Sequence, residues 1–116
     1  MTLVDTSVWV EHLRRGDAEL AALLDEGMVF VHPFVIGEVA AGTMRQREVV
    51  LGHLRHLPEA PVATEAEVHH LLEGHRLAGR GLGWIDLHLL ASARLAAVPL
   101  ITRDAALRAA AQSVLA

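Results

Sequence analysis

The chain has 116 residues and a mass of 12.5 kDa, enough for one domain over 1–116, and its 53% hydrophobic against 21% charged residues exclude intrinsic disorder. With no cysteine there is no disulfide, thiolate nucleophile or Cys-ligated metal, which fits a reducing, cytoplasmic setting. All ten cations are Arg against 14 acids, a net charge of −4, so a nucleic-acid partner would be gripped locally rather than by a broad basic surface; aromatics at 3% argue against an RRM-like or cold-shock module.

The chain opens on Leu3-Val4, a short apolar strand, and Asp5-Thr6-Ser7 stops it in the manner of a helix cap. Neither a signal peptide nor an apolar run near the ~20 residues of a membrane span is legible. A helix is predicted over 8–15, ended by Gly16, and a second over 17–26, with Leu20, Leu23 and Leu24 at helical spacing and Gly27 after it. Residues 28–31 read as a strand. Pro33 then occupies the preferred first position of a helix that continues over 34–41 with Glu38 as its only charge.

A polar helix is predicted from about 45 to 57, and Pro58 and Pro61 bracket a turn leading into a short strand over 61–63. Thr64 and Glu67 have the spacing of a capping box for a helix reaching Leu77, followed by a loop over 79–83. Residues 84–97 are apolar nearly all round, the pattern of a buried helix. A strand over 99–101, a turn over 102–104, a helix over 105–112 and a terminal strand at Val114-Leu115 complete the expectation. Short apolar strands alternating with helices imply an α/β fold with a mostly parallel central sheet and helices on both faces, and such sheets bind ligands beyond the strands' carboxyl ends.

Asp5 and Asp104 follow the first and last parallel strands, so both should emerge at that carboxyl edge. Glu38 stands alone in an apolar helix, and Asp86 opens the buried one. Carboxylates in apolar surroundings are costly unless paired, protonated or bound to a cation, and four meeting together would call for a hard divalent ion. Singly, each has an ordinary structural role: Asp5 and Asp104 as caps, Asp86 as a complement to a helix dipole, Glu38 as an ion-pair partner of an Arg. Capping does not explain why all four fall at one sheet edge or within apolar runs.

The stretches Leu3-Val4-Asp5-Thr6-Ser7-Val8-Trp9, Val35-Ile36-Gly37-Glu38-Val39, the run from Gly83-Trp84-Ile85-Asp86 through Ala93, and Leu100-Ile101-Thr102-Arg103-Asp104 resemble the successive motifs of PIN-domain ribonucleases. In particular they resemble VapC-type toxins of bacterial VapBC toxin–antitoxin systems. The acids are 33, 48 and 18 residues apart and the match spans nearly the whole chain. The resemblance implies a PIN-like three-layer sandwich and an Mg²⁺ or Mn²⁺ site of Asp5, Glu38, Asp86 and Asp104 that hydrolyses RNA phosphodiester bonds. It also implies a homodimer and a VapB-like antitoxin, whose tail would bring an Arg to the acids and dock an apolar segment beside the helix bearing Glu38. Thr6, Ser7 and Thr102 stand beside the matched acids, where they would hold a water at the metal or orient a carboxylate; capping and turn formation explain them equally well. The absence of Lys departs from the family.

Carboxylate-held Mg²⁺ supplies what phosphodiester hydrolysis needs without a protein nucleophile, and it commonly uses only one or two carboxylates directly. Asp5 and Asp86 are expected closest to the metal, with Glu38 and Asp104 acting through water. Without the four acids, ten carboxylates balance ten Arg, compatible with RNA approach. Two other readings compete. An aspartyl phosphotransfer or phosphatase domain also places acids at strand ends, but it usually needs a Lys, and here Ser7 stands where a second acid would be. A catalytically silent PIN-fold domain that binds RNA or protein would not require the four intact acids. His53/His56 and His69/His70 lack the closing pairs of a zinc spacing. Arg76, Arg80 and Arg103 are candidate phosphate contacts, with solvated surface charge the plainer reading. Trp9 and Trp84 read as packing residues, with a dimer contact as the alternative.

Overall fold

In the computed structural model, which describes residues 1–115, β1 (Thr2–Val4) is the middle strand of a parallel three-stranded sheet of order β2-β1-β3, with β2 at Val29–Phe30 and β3 at Leu100–Ile101. Successive strand side chains point to opposite faces. Leu3 and Val4 are nevertheless both fully buried, so the sheet is covered on each side, as the α/β reading expected.

The covering helices are α1 (Thr6–Arg15), α2 (Ala18–Asp25), α3 (Pro33–Ala41), α4 (Arg47–His56), α5 (Glu65–Gly74), α6 (Trp84–Ala96) and α7 (Ala105–Val114). The expected start signals operate: Asp17 caps α2 through Leu20 N, Pro33 opens α3, and Thr64 and Glu67 close a reciprocal capping box on α5. Helix α6 carries an unbroken buried run from Leu87 to Ala93, packing on β1, β3, α5 and α7.

Four expectations are corrected. Residues 61–63 form no strand; instead Val31 pairs with Glu59 in an isolated parallel bridge, with Val31 N donating to Pro58 O and Ala60 N to Val31 O, both at 2.9 Å. Pro61 has no N–H with which to extend that ladder. Val114-Leu115 forms no strand either, because the Ala-rich α7 meets no breaker and runs on through Val114. Helix α4 begins two residues later than expected, after Gln46 takes a left-handed conformation at φ 52°. Helix α5 stops at Gly74 rather than Leu77: Arg76 turns left-handed at φ 53°, and Leu77 N closes back on Leu72 O at 3.0 Å.

Because β2 and β3 lie on opposite sides of β1, the strand order reverses at β1. The carboxyl ends of β1 and β3 therefore flank the crevice where such sheets take their ligands.

Candidate active site

Asp5 leaves the end of β1 with its N–H still paired to Ile101 O at 3.0 Å, and it caps α1. It is only 6% exposed. Its Oδ2 accepts from Ser7 Oγ at 2.6 Å, Thr102 Oγ1 at 2.7 Å and, more weakly, Ser7 N at 3.4 Å. These bonds tie the turn after β1 to the turn after β3. Arg103 N donates to Ser7 Oγ at 2.9 Å and Asp104 N to Thr102 Oγ1 at 3.0 Å, while the Arg108 guanidinium donates to Thr102 O at 3.0 Å. Asp104, exposed, caps α7 by accepting from Leu107 N at 2.9 Å.

The other two acids come from helices. Glu38, exposed on α3, accepts from Thr6 Oγ1 through Oε1 at 2.6 Å, a bond spanning 32 residues of sequence. Asp86, half-buried in the first turn of α6, accepts from Gly83 N through Oδ2 at 2.8 Å. Burial pushes the Asp86 carboxyl above its ordinary range and the Gly83 N–H pulls it back, while the charges of Asp5, Asp104 and Glu38 push it up further. Four acids from four separate stretches of chain thus share one electrostatic space.

In each of the four, one carboxylate oxygen is held by a protein donor, and the other accepts no hydrogen bond among the described residues. No Arg pairs with any of them: the ion pairs among the described residues are Arg15–Glu11, His69–Glu65, Arg103–Asp17 and Arg103–Glu19. Hard oxygen donors without a cationic partner are the donor set a divalent ion prefers. As they stand, no three Asp, Glu or His side chains among the described residues close on a single point.

The hydroxyl residues divide between their two readings. Thr6 bonds Glu38, whereas Ser7 and Thr102 orient Asp5. Arg103 is committed to Asp17 and Glu19 on the α2 side, which weakens its reading as a phosphate contact. Trp9 is buried as a packing residue, but Trp84 is 40% exposed. Sequence reasoning missed the Gly83 N–H on Asp86, a backbone donor that leaves no side-chain signal. It also missed His88, buried beside Phe34 and Trp84.

The sequence pattern that defines the PIN domain matches residues 2–112. Ribonuclease VapC32 of Mycobacterium tuberculosis, in strains CDC 1551 / Oshkosh and ATCC 25618 / H37Rv, is 50% identical over 111 residues, covering 95% of this chain and 90% of that protein. FitAcB from Neisseria gonorrhoeae superposes with a TM-score of 0.67 at 21% identity over 97% of this chain and 94% of its own. FitAB bound to an IR36 DNA fragment also gives a TM-score of 0.67 at 21% identity, over 97% and 91% of the two chains. The structural likeness shows the fold, and the long sequence match is more specific. With the PIN pattern matched over residues 2–112 and half of its residues shared with a VapC ribonuclease, the chain belongs to the PIN-domain family as a VapC-type member.

Proposed function

We propose that the protein is a divalent-cation-dependent endoribonuclease, the toxin of a type II toxin–antitoxin pair. One observation carries the reading: among the described residues, Asp5, Glu38, Asp86 and Asp104 each keep one oxygen tied to the protein and the other open, with no Arg paired to them. The 50% identity to Ribonuclease VapC32 supports RNA as the substrate.

Mg²⁺, or Mn²⁺ in its place, supplies charge stabilisation at the phosphate and lowers the pKa of a water at the site. The protein's part is preorganisation. Ser7 and Thr102 lock Asp5 in one rotamer, so its open oxygen is presented without a search, and the Gly83 N–H does the same for Asp86. These two, the least exposed of the four, are the residues we assign to direct cation binding. Glu38, steadied by Thr6, and Asp104, steadied by the start of α7, are exposed and act through water, orienting it toward the phosphate and taking up its proton.

A VapB-like antitoxin would restrain the enzyme, probed most directly by an Arg in its tail whose planar fork matches the open carboxylate oxygens. Co-expression with the neighbouring small reading frame should relieve growth arrest and yield a complex on purification. A harmless active enzyme with no bound partner overturns the toxin assignment.

Digestion of single-stranded RNA by the purified protein tests the chemistry. EDTA should abolish cleavage, and Mg²⁺ or Mn²⁺ should restore it. Asp5→Asn and Asp86→Asn, which keep side-chain size but lose the charge, should each cut activity by more than about 100-fold while the far-ultraviolet circular dichroism stays unchanged. Full activity in demetallated protein, or wild-type rates in either variant, overturns the metal-site reading.

A further inference from the structure

Arg103 stands between Thr102 and Asp104, yet its guanidinium pairs with none of the four acids. It donates instead to Asp17 Oδ2 and, at 3.5 Å, to Glu19 Oε1, at the start of α2 and 86 and 84 residues away in sequence. The backbone of the same residue serves the site: Arg103 N donates to Ser7 Oγ at 2.9 Å, and Ser7 Oγ donates to Asp5 Oδ2 at 2.6 Å. One residue thus links α2 to the acid at the end of β1.

Asp17 is placed to anchor that link. Its N–H donates to His12 Nδ1 at 3.1 Å, its Oδ1 accepts from Leu20 N at 3.0 Å, and its Oδ2 takes Arg103. The Arg103 guanidinium, with the Leu20 N–H, holds the Asp17 carboxyl below its ordinary range. Exposed ion pairs such as Arg15–Glu11, with side chains 73% and 41% exposed, contribute little, because solvent screens them and both chains must be ordered. The Asp17 side chain is only 9% exposed and is already fixed by other bonds, so pairing orders little beyond Arg103 itself.

We infer that Arg103 and Asp17 are positioning residues, their ion pair holding the 102–104 turn against the start of α1 so that Ser7 stays seated on Asp5. The inference rests on the nuclease reading above and extends the residues that shape its site to α2. Charge gives it a distinctive sign. Removing a cation near four carboxylates would by itself tighten the binding of a divalent ion, and removing an anion would loosen it. A positional role moves both variants the same way, toward weaker binding.

Arg103→Met keeps length without charge, and Asp17→Asn keeps the α2 cap without charge. In the metal-free whole chain, the amides of positions 103 and 104 should exchange hydrogen about tenfold faster in both variants, while the amide of Leu89 in α6 stays as protected as in the wild type. Mn²⁺ titrations followed by electron paramagnetic resonance should show affinity lowered about 3- to 10-fold in each, with kcat for RNA falling more than KM changes. The double variant should be no weaker than the weaker single one, since either change breaks the pair. Arg15→Met, which removes the same charge elsewhere, should match the wild type. Unchanged exchange at 103 and 104 overturns the inference, as do Mn²⁺ affinities that move in opposite directions. Faster exchange with wild-type Mn²⁺ affinity and kcat overturns it too, the pair then being only a tie between elements. A raised KM in Arg103→Met alone makes Arg103 a phosphate contact instead. A wild type that neither binds Mn²⁺ nor cuts RNA removes the nuclease reading and the positional role with it, whereas a wild type that cuts beside equally active variants removes the positional role alone.

Discussion

Thr102 is 3% exposed and its hydroxyl serves two turns at once, donating to Asp5 Oδ2 and accepting from Asp104 N. Thr102→Val keeps the shape and removes both bonds. It should lower RNA cleavage by about 10- to 100-fold, as expected for a group that orients a carboxylate proposed to hold the cation. It should also lower the denaturant midpoint, because the buried Asp5 oxygen loses a donor, at a cost of about 1–3 kcal/mol. Asp104 separates two roles that coincide in one side chain. Asparagine caps a helix as well as aspartate, so Asp104→Asn should leave thermal stability within about 0.5 kcal/mol of wild type while reducing cleavage. Parallel loss of stability and activity would mean that Asp104 is only a cap.

Helix α6 links packing to chemistry at the scale of an element. Its first turn holds Asp86 and Trp84, and its buried run anchors that turn against β1 and β3. Leu89 is fully buried and Leu95, two turns on, is 51% exposed. Leu89→Ala should destabilise the protein by about 2–5 kcal/mol, and Leu95→Ala by no more than about 0.5 kcal/mol, in chemical denaturation. Comparable losses at the two positions would contradict the burial of this face. The site thus depends on apolar contacts well behind it, because a helix that shifts carries Asp86 away from the turns after β1 and β3.

For the whole molecule, the clearest pH signature comes from His32. Its ring is fully buried, its Nδ1 accepts from Phe34 N at 3.0 Å, and its Nε2 has no hydrogen-bond partner among the described residues. Burial, with a smaller push from His88, lowers its pKa from 6.5 to about 4. Between those values the unfolded chain takes up a proton that the folded protein refuses. Stability is therefore retained above about pH 6.5 and falls as pH drops toward 4, by about 2 kcal/mol between pH 7 and pH 5 from this group. Urea unfolding at those two pH values should show the loss, and His32→Gln should flatten it. A pH-independent midpoint across that window would refute a neutral, buried imidazole.

Much of this molecule was decided within short stretches of sequence. Alternating apolar strands and helices specified an α/β sheet, and Asp17, Pro33 and the Thr64/Glu67 pair marked helix starts because capping needs only residues three or four apart. The four ordered motifs also nominated the acids as a candidate site, Asp5, Asp86 and Asp104 from strand ends or helix starts, where position fixes where a side chain emerges, and Glu38 from within α3. Strand pairing and side-chain partners were beyond that reach. Whether residues 61–63 joined the sheet depended on Val31, some thirty residues away, finding Glu59 first. Which hydroxyl served which acid depended on bonds between Thr6 and Glu38 and between Thr102 and Asp5, separated by 32 and 97 positions. Trp84 became an exposed ring rather than a core residue because α6 turns its first residue toward solvent while its middle is enclosed. Local sequence fixes backbone preference over a few residues. Only the closed tertiary structure, where long-range contacts repay the entropy of ordering, sets which groups meet.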